Sequence, residues 1–275
     1  TNNDIDSTSN VPGHPQQGFL HPSLVENVTV FRSNVPARYG SFTGGVVEIE
    51  TRDPSGSFGG EVSVRHTRSE WTKFHESRDR EEEDDNPVAG GVQPEFDKYD
   101  GSILLDVPIT ENTGFLAGYN QIYSKIPYYQ IEVPENTINK QDQYRSIENF
   151  FLKSVTHISA DTKLTLTGTY APYEANYFKD EIVNGDYTLE NSAYSLTSAL
   201  KHRTDFAKIE FALGYTLGTN SRQAPAPYYN WQGTDSKPWG AVTDANKKNQ
   251  YIKEGYYGDI EKEQRTLAAN LHVTL

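Results

Sequence analysis

The side chains best suited to chemistry in this sequence are aromatic rather than nucleophilic. Tyr228, Tyr229, Trp231 and Trp239 fall within one long polar connection, and Tyr251, Tyr256 and Tyr257 follow them. Exposed aromatic faces stack on sugars or on aromatic and chelating ligands. The alternative is that they pack on one another to order the loop, or form an interface girdle. Tyr128 and Tyr129, after Pro127, make a second candidate ligand pair, with a girdle as the equal alternative. No catalytic set accompanies them: G-x-S-x-G, H-E-x-x-H and the phosphate-cradling G-x-x-x-x-G-K-[ST] are all absent from the sequence. The histidines at 14, 21, 66, 75, 157, 202 and 272 are scattered, and none has the i+2 or i+4 partner of a metal pair. Each reads as a polar lining or surface residue. Glu81 to Asp85, EEEDD, offers hard oxygen ligands for a divalent cation. Adjacent like charges repel and stay extended, so a solvated loop tip is the expected reading. No enzyme activity, cofactor or metal is expected.

These residues sit on a chain whose composition narrows the classes. There are 275 residues, a net charge of -13, no Cys and no Met. Disulfides and thiolate chemistry are excluded. No basic patch is visible, so nucleic acid is not an expected partner. Hydrophobic content is 35% and mean hydropathy is -0.71, yet the chain carries 18 Tyr and 12 Phe. Low hydropathy with many aromatics suits a wall that alternates oily and polar residues. No apolar run approaches the length of a transmembrane helix, but a membrane strand needs only about ten residues with alternate ones apolar.

That alternation recurs along the chain. Eight segments read as strands: Gly59 to Phe74, Tyr99 to Ile109, Gly114 to Ile131, Tyr144 to Ser159, Leu164 to Tyr173, Ala193 to His202, Ile209 to Leu217 and Thr266 to Leu275. Ile103, Leu105, Val107 and Ile109 share one face, against Ser102, Leu104 and Asp106. Ile209, Phe211, Leu213, Tyr215 and Leu217 oppose Glu210, Ala212, Gly214 and Thr216, and the last segment sets Leu267, Ala269, Leu271 and Val273 against polar neighbours. The middle of Tyr144 to Ser159 is apolar on both parities, and its faces cannot be assigned. Short connections (Thr110 to Thr113, Ala160 to Lys163, Thr204 to Lys208) alternate with long ones (His75 to Glu95, Glu132 to Gln141, Asp180 to Asn191, Ser221 to Glu263). Outer-membrane barrels sort their loops in this way, and a soluble sandwich has no reason to.

Ahead of these strands lies Ser23 to Pro54. It reads as a strand (Val25 to Phe31), a turn on Pro36 and Gly40, a diglycine at Gly44 and Gly45, and a second strand (Val46 to Thr51). Val25, Glu26, Val28, Val30 and Arg32, then Tyr39-Gly40, then Gly44 to Arg52, follow in register a pattern of the form V-E-x-V-x-V-x-R, Y-G, G-G-V-V-x-I-x-T-[KR]. The stretch resembles the C-terminal half of the plug domain of TonB-dependent outer-membrane transporters.

What the resemblance implies is an all-β membrane β-barrel of antiparallel up-and-down strands, with residues 1–54 ending a plug and 55–275 beginning the wall. Plugged barrels have about 22 strands, so the chain is expected to be a piece of a longer one, supplying roughly the first third of the wall. The implied function is energised import of a scarce nutrient across the outer membrane of a Gram-negative bacterium. The nutrient would be a ferric siderophore, or else cobalamin or a glycan. TonB and outer-membrane lipid and lipopolysaccharide are the implied partners. Arg32, Arg38 and Arg52 are the implied plug–barrel contacts. Two other readings compete: a soluble or surface glycan-binding adhesin, whose apolar faces would be buried between two sheets, and a non-transporting plugged-barrel receptor.

Overall fold

The computed structural model describes residues 20–33, 35–36, 39, 44–73, 95–132, 137–178, 182–224, 227, 229–231, 252–256 and 258–275. Side chains are not described at 129–132, 137–138, 183, 230–231 and 252–253. Two short strands, β1 (Val25–Phe31) and β2 (Val46–Thr51), pair antiparallel as a hairpin. Gly44 enters β2 with φ of 92°, a conformation that other residues rarely adopt. Val28 lies opposite Ile49 and Val30 opposite Val47, so these four share one face.

Eight long strands follow: β3 (Gly59–Arg68), β4 (Asp97–Thr110), β5 (Thr113–Glu132), β6 (Thr137–Ser159), β7 (Thr162–Tyr177), β9 (Tyr187–Arg203), β10 (Lys208–Gln223) and β13 (Ile260–Thr274). They form one antiparallel sheet in the order β13-β10-β9-β7-β6-β5-β4-β3. Every neighbour in the sheet is also the next long strand in the chain, as in an up-and-down meander. The sheet is open, with β3 and β13 at its edges. Three short strands, β8 (Ile182–Val183), β11 (Tyr229–Trp231) and β12 (Ile252–Glu254), form a small separate sheet in the connections at one end.

The three tight turns fall where the sequence places them. Thr204, for example, closes its turn by donating its backbone N–H to Ala207 O at 2.8 Å. The expected long connection from Glu132 to Gln141 is corrected: β5 and β6 stay paired out to Glu132 opposite Thr137. A strand of 20 residues and one of 23 outrun the roughly ten that cross hydrocarbon, so this hairpin projects well beyond any membrane. The Gly59 to Phe74 segment likewise stops as a strand at Arg68 and turns through Ser69–Trp71.

The sheet has two unlike faces. One carries the β1–β2 hairpin and is called inner. The other aligns Ile103, Tyr119, Phe150, Tyr170, Tyr194 and Leu217 across consecutive strand pairs. Four of these rings form a continuous row, with centroids 4.8 Å (Tyr119–Phe150), 5.8 Å (Phe150–Tyr170) and 4.3 Å (Tyr170–Tyr194) apart. On the short-turn side of this row the outer face is apolar: Leu152, Leu166, Leu196, Phe211, Leu213 and Leu271 are all exposed. On the other side the same faces turn polar, with Glu148, Ser192 and Thr219 next along β6, β9 and β10. Ile103, Leu105, Phe211, Leu213 and Leu271 range from 43% to 67% exposed. A sandwich would have sealed them beneath a second sheet. Among the described residues nothing covers them.

Candidate functional site

The functional geometry begins where the hairpin meets the wall. Pro22, Ser23 and Leu24 form a single 3-10 turn, which His21 caps: its Nδ1 accepts from the Ser23 backbone N–H at 3.3 Å and lies 2.7 Å from Ser23 Oγ. The turn aims Leu24 at the inner face of β4, β5 and β6, where it is buried against Leu104, Leu116 and Phe151. Gly118 makes the seat. A Cβ at that position would stand 3.0 Å from Leu24 Cδ2, and a Cβ at Gly114 would stand 2.8 Å from Pro54. Two inner-face glycines on one strand thus let the segments that flank the hairpin, at Leu24 and Pro54, come close to the wall.

Polar and charged contacts flank this apolar peg. On one side, His21 Nε2 is 3.7 Å from the Asp100 carboxylate. Asp100 also receives the Asn120 amide at 3.0 Å and lies 3.5 Å from Arg65. On the other side, Lys153 reaches the end of β2. Its Nζ donates to Thr51 O at 2.8 Å and Thr51 Oγ1 at 3.0 Å, and lies 2.6 Å from Asp53 Oδ1. Lys163 pairs with the second carboxylate oxygen of Asp53. The Lys153 side chain is only 7% exposed. A buried ammonium is tolerable only with such a full set of acceptors. Partial burial alone would raise the pKa of Asp53. The hydrogen bonds and charges of Lys153 and Lys163 outweigh it and hold the carboxyl below its ordinary value. Ser55 completes the junction by donating its N–H to Asp106 Oδ2 at 2.7 Å.

The three expected arginines are placed differently. Arg52 donates to Ser23 O at 3.3 Å within the hairpin and lies 3.9 Å from Glu61 on β3. Arg32 is exposed, and among the described residues no carboxylate pairs with it. Arg38 lies outside the described residues. The tightest contact has the opposite sense to Arg52–Glu61: wall lysines hold a carboxylate on the hairpin side. Lys153 was hidden in the one segment whose faces the sequence left unassigned.

At the far end of the inner face, tyrosines from three elements stack. Tyr177 and Tyr187 have centroids 5.3 Å apart, and Tyr187 and Tyr256 4.1 Å apart. The Arg145 guanidinium lies 5.2 Å over Tyr177, and that of Arg222 5.2 Å over Tyr256. Arg222 also donates to Gly258 O at 3.1 Å, and the Ala224 N–H to Asp259 Oδ1 at 2.8 Å. Tyr256 is therefore a loop anchor: its burial ties the return limb of the longest connection to the wall. Of the ligand candidates, Tyr229 is exposed in β11, and Tyr128 meets Phe178 edge-on at 5.4 Å. Trp231 lies in β11 and Tyr129 in β5, known there by backbone alone. Tyr228, Trp239 and the acidic run 81–85 lie outside the described residues. Tyr128 and Tyr229 thus stand in different sheets, the first in the wall and the second in the small sheet of the connections.

No protein-family model matches the chain. It is 24% identical over 217 residues to the uncharacterized protein YddB of Escherichia coli, matching 77% of this chain and 27% of that protein. It also superposes on the crystal structure of the outer membrane transporter YddB from Escherichia coli with a TM-score of 0.80 at 20% identity, covering 98% of this chain and 35% of that one. The chain thus spans about a third of the length of the proteins it matches. It has the fold of an outer-membrane β-barrel transporter, and the expected location in the outer membrane agrees with that likeness.

Proposed function

We propose that this chain is the plug end and first wall strands of a TonB-dependent transporter, one that imports a scarce nutrient across the outer membrane of a Gram-negative bacterium. A ferric siderophore is the first candidate, with cobalamin or a glycan behind it. The observation that carries the reading is the two-faced sheet. Its outer surface is apolar and exposed, while its inner surface seats a hairpin through Leu24 and Lys153. A wall of this kind faces hydrocarbon on one side and encloses a stopper on the other. Ligand captured by the long-connection end would wait on removal of the stopper by the inner-membrane energy transducer. The chain's own residues do no covalent chemistry in this scheme: Leu24, Asp53 and Lys153 position the hairpin, and Tyr256 with Arg222 positions the outer loop.

The test separates binding from entry. Cells making the full-length protein are offered labelled ferric siderophores, cobalamin and oligosaccharides. Deleting the segment upstream of the hairpin is expected to abolish uptake of the bound nutrient and to leave surface binding intact. Undiminished uptake in the deletion would refute dependence on a pull through that segment.

A further inference from the structure

The hairpin is fastened to the wall at two places of unlike character, and they lie side by side. Leu24 O accepts from the Arg52 N–H at 2.9 Å, and Val25 pairs with Thr51. The peg at Leu24 and the lysine knot at Thr51 and Asp53 are therefore neighbours at the same end of the hairpin, while the whole of β1, the turn and β2 loops out between them. A load arriving from upstream meets the peg first. That contact is apolar and short-ranged, backed by a single His21–Asp100 approach at 3.7 Å. Once it slips, tension runs between Val25 and Thr51, across the hairpin's open end. Antiparallel ladder bonds lie perpendicular to the strands, so they break rung by rung rather than in shear. Only then does the load reach Lys153, which is tied to both Thr51 oxygens and to Asp53, with Lys163 behind it.

We propose that Lys153 is the positioning residue that fixes the downstream limit of stopper movement: the chain up to Thr51 is pulled away, and the Thr51–Asp53 knot stays on the wall. The inference rests on the transport reading for its purpose but not for its geometry. The stretch from Val25 to Thr51 stores roughly 90 Å of chain at about 3.3–3.6 Å per residue. That exceeds the hydrocarbon thickness of about 30 Å. With Leu24 lifted from the inner face of β4 to β6, peeling this stretch draws the hairpin away without loosening β3, whose pairing with β4 starts at Gly59. Lys153 does not touch ligand in this scheme. It decides where unfolding stops.

The full-length protein in a lipid bilayer, held by a handle on Asp4→Cys with any cysteine outside these 275 residues replaced by serine, is pulled from the short-turn side by single-molecule force spectroscopy. Two force events are expected, separated by roughly 90 Å of released chain, the second stronger than the first. Leu24→Ala should weaken the first and leave the second. Lys153→Met should remove the second, and Lys153→Arg should restore it. Hydrogen exchange of β7 to β10 that matches the parent establishes that each variant is folded. A single event releasing hairpin and β3 together, or a second event unchanged in Lys153→Met, would overturn the proposal. Two events in a protein that takes up none of the nutrients offered would uphold the anchor and count against the transport reading alone.

Discussion

Replacing Leu213 with arginine is expected to lower the stability of the folded wall in lipid vesicles by about 2–4 kcal/mol, the cost of a charge near the hydrocarbon midplane. Leu213 sits midway along the apolar run of β10 and pairs with Ser198 and Ala269 on its two neighbours. It is 43% exposed with no protein cover among the described residues. Thr216, on the opposite parity of the same strand, faces the inner side. Thr216→Arg is expected to change stability by no more than about 0.5 kcal/mol, as for a surface polar site. Reversible urea unfolding from vesicles measures both. The contrast matters more than either value, because a strand with two watery faces would tolerate both substitutions equally.

The second large effect is at the knot. Asp53→Ala leaves the Lys153 ammonium buried with only the Thr51 oxygens. Breaking a buried pair from one side costs about 3–5 kcal/mol. Asp53 is itself 41% exposed, and solvent screening moves the expectation to the low end, about 3 kcal/mol. Read as hydrogen exchange of the β1–β2 amides, that is on the order of a hundredfold faster opening. The double variant Asp53→Ala/Lys153→Met should recover some of the loss, because it removes the stranded charge along with its partner. Strictly additive losses would show that the two side chains do not act together. The pH dependence follows from the sign of the Asp53 shift. Its folded pKa is below the ordinary carboxylate value of about 3.9. The contribution is therefore fully present above about pH 4 and is lost as pH falls through the lower folded value. The Asp53 contribution to hairpin docking, read as the difference between the parent and Asp53→Ala, should be flat from about pH 8 to about pH 5 and weaken only in stronger acid.

The sequence showed the outer face more clearly than the inner one, and the reason is physical. Hydrocarbon tolerates only apolar side chains, so Ile209, Phe211, Leu213, Tyr215 and Leu217 repeat every second residue without exception, and the tight turns that end such runs are equally plain. The inner face obeys no single rule. It is polar where it meets water, but Leu104, Leu116 and Phe151 are apolar because Leu24 covers them. In β6 this puts Phe150 and Leu152 on one face and Phe151 and Val155 on the other, which is why Tyr144 to Ser159 could not be assigned. Lys153 within that run was the available signal: a charge flanked by apolar residues must face inward and find a partner. Strand lengths were underestimated for a related reason. Beyond the aromatic row the outer face turns polar, so Glu132, Thr137 to Gln141 and Tyr187 to Asn191 read as loop although their backbones are paired. The β1 and β2 limits, by contrast, were legible to the residue, because Pro36 and Gly44 bracket the turn between two β-branched runs.

The central claim is that the oily side chains of the wall look out at lipid. It is tested most directly by placing single cysteines at positions 209 through 216 of β10, labelling them with a nitroxide, and comparing collisions with oxygen and with a water-soluble nickel complex in a bilayer. Labels at 209, 211, 213 and 215 should collide mainly with oxygen, which concentrates in hydrocarbon, and those at 210, 212, 214 and 216 should not. Odd positions shielded from both reagents, as in a dry protein interior, would contradict the account.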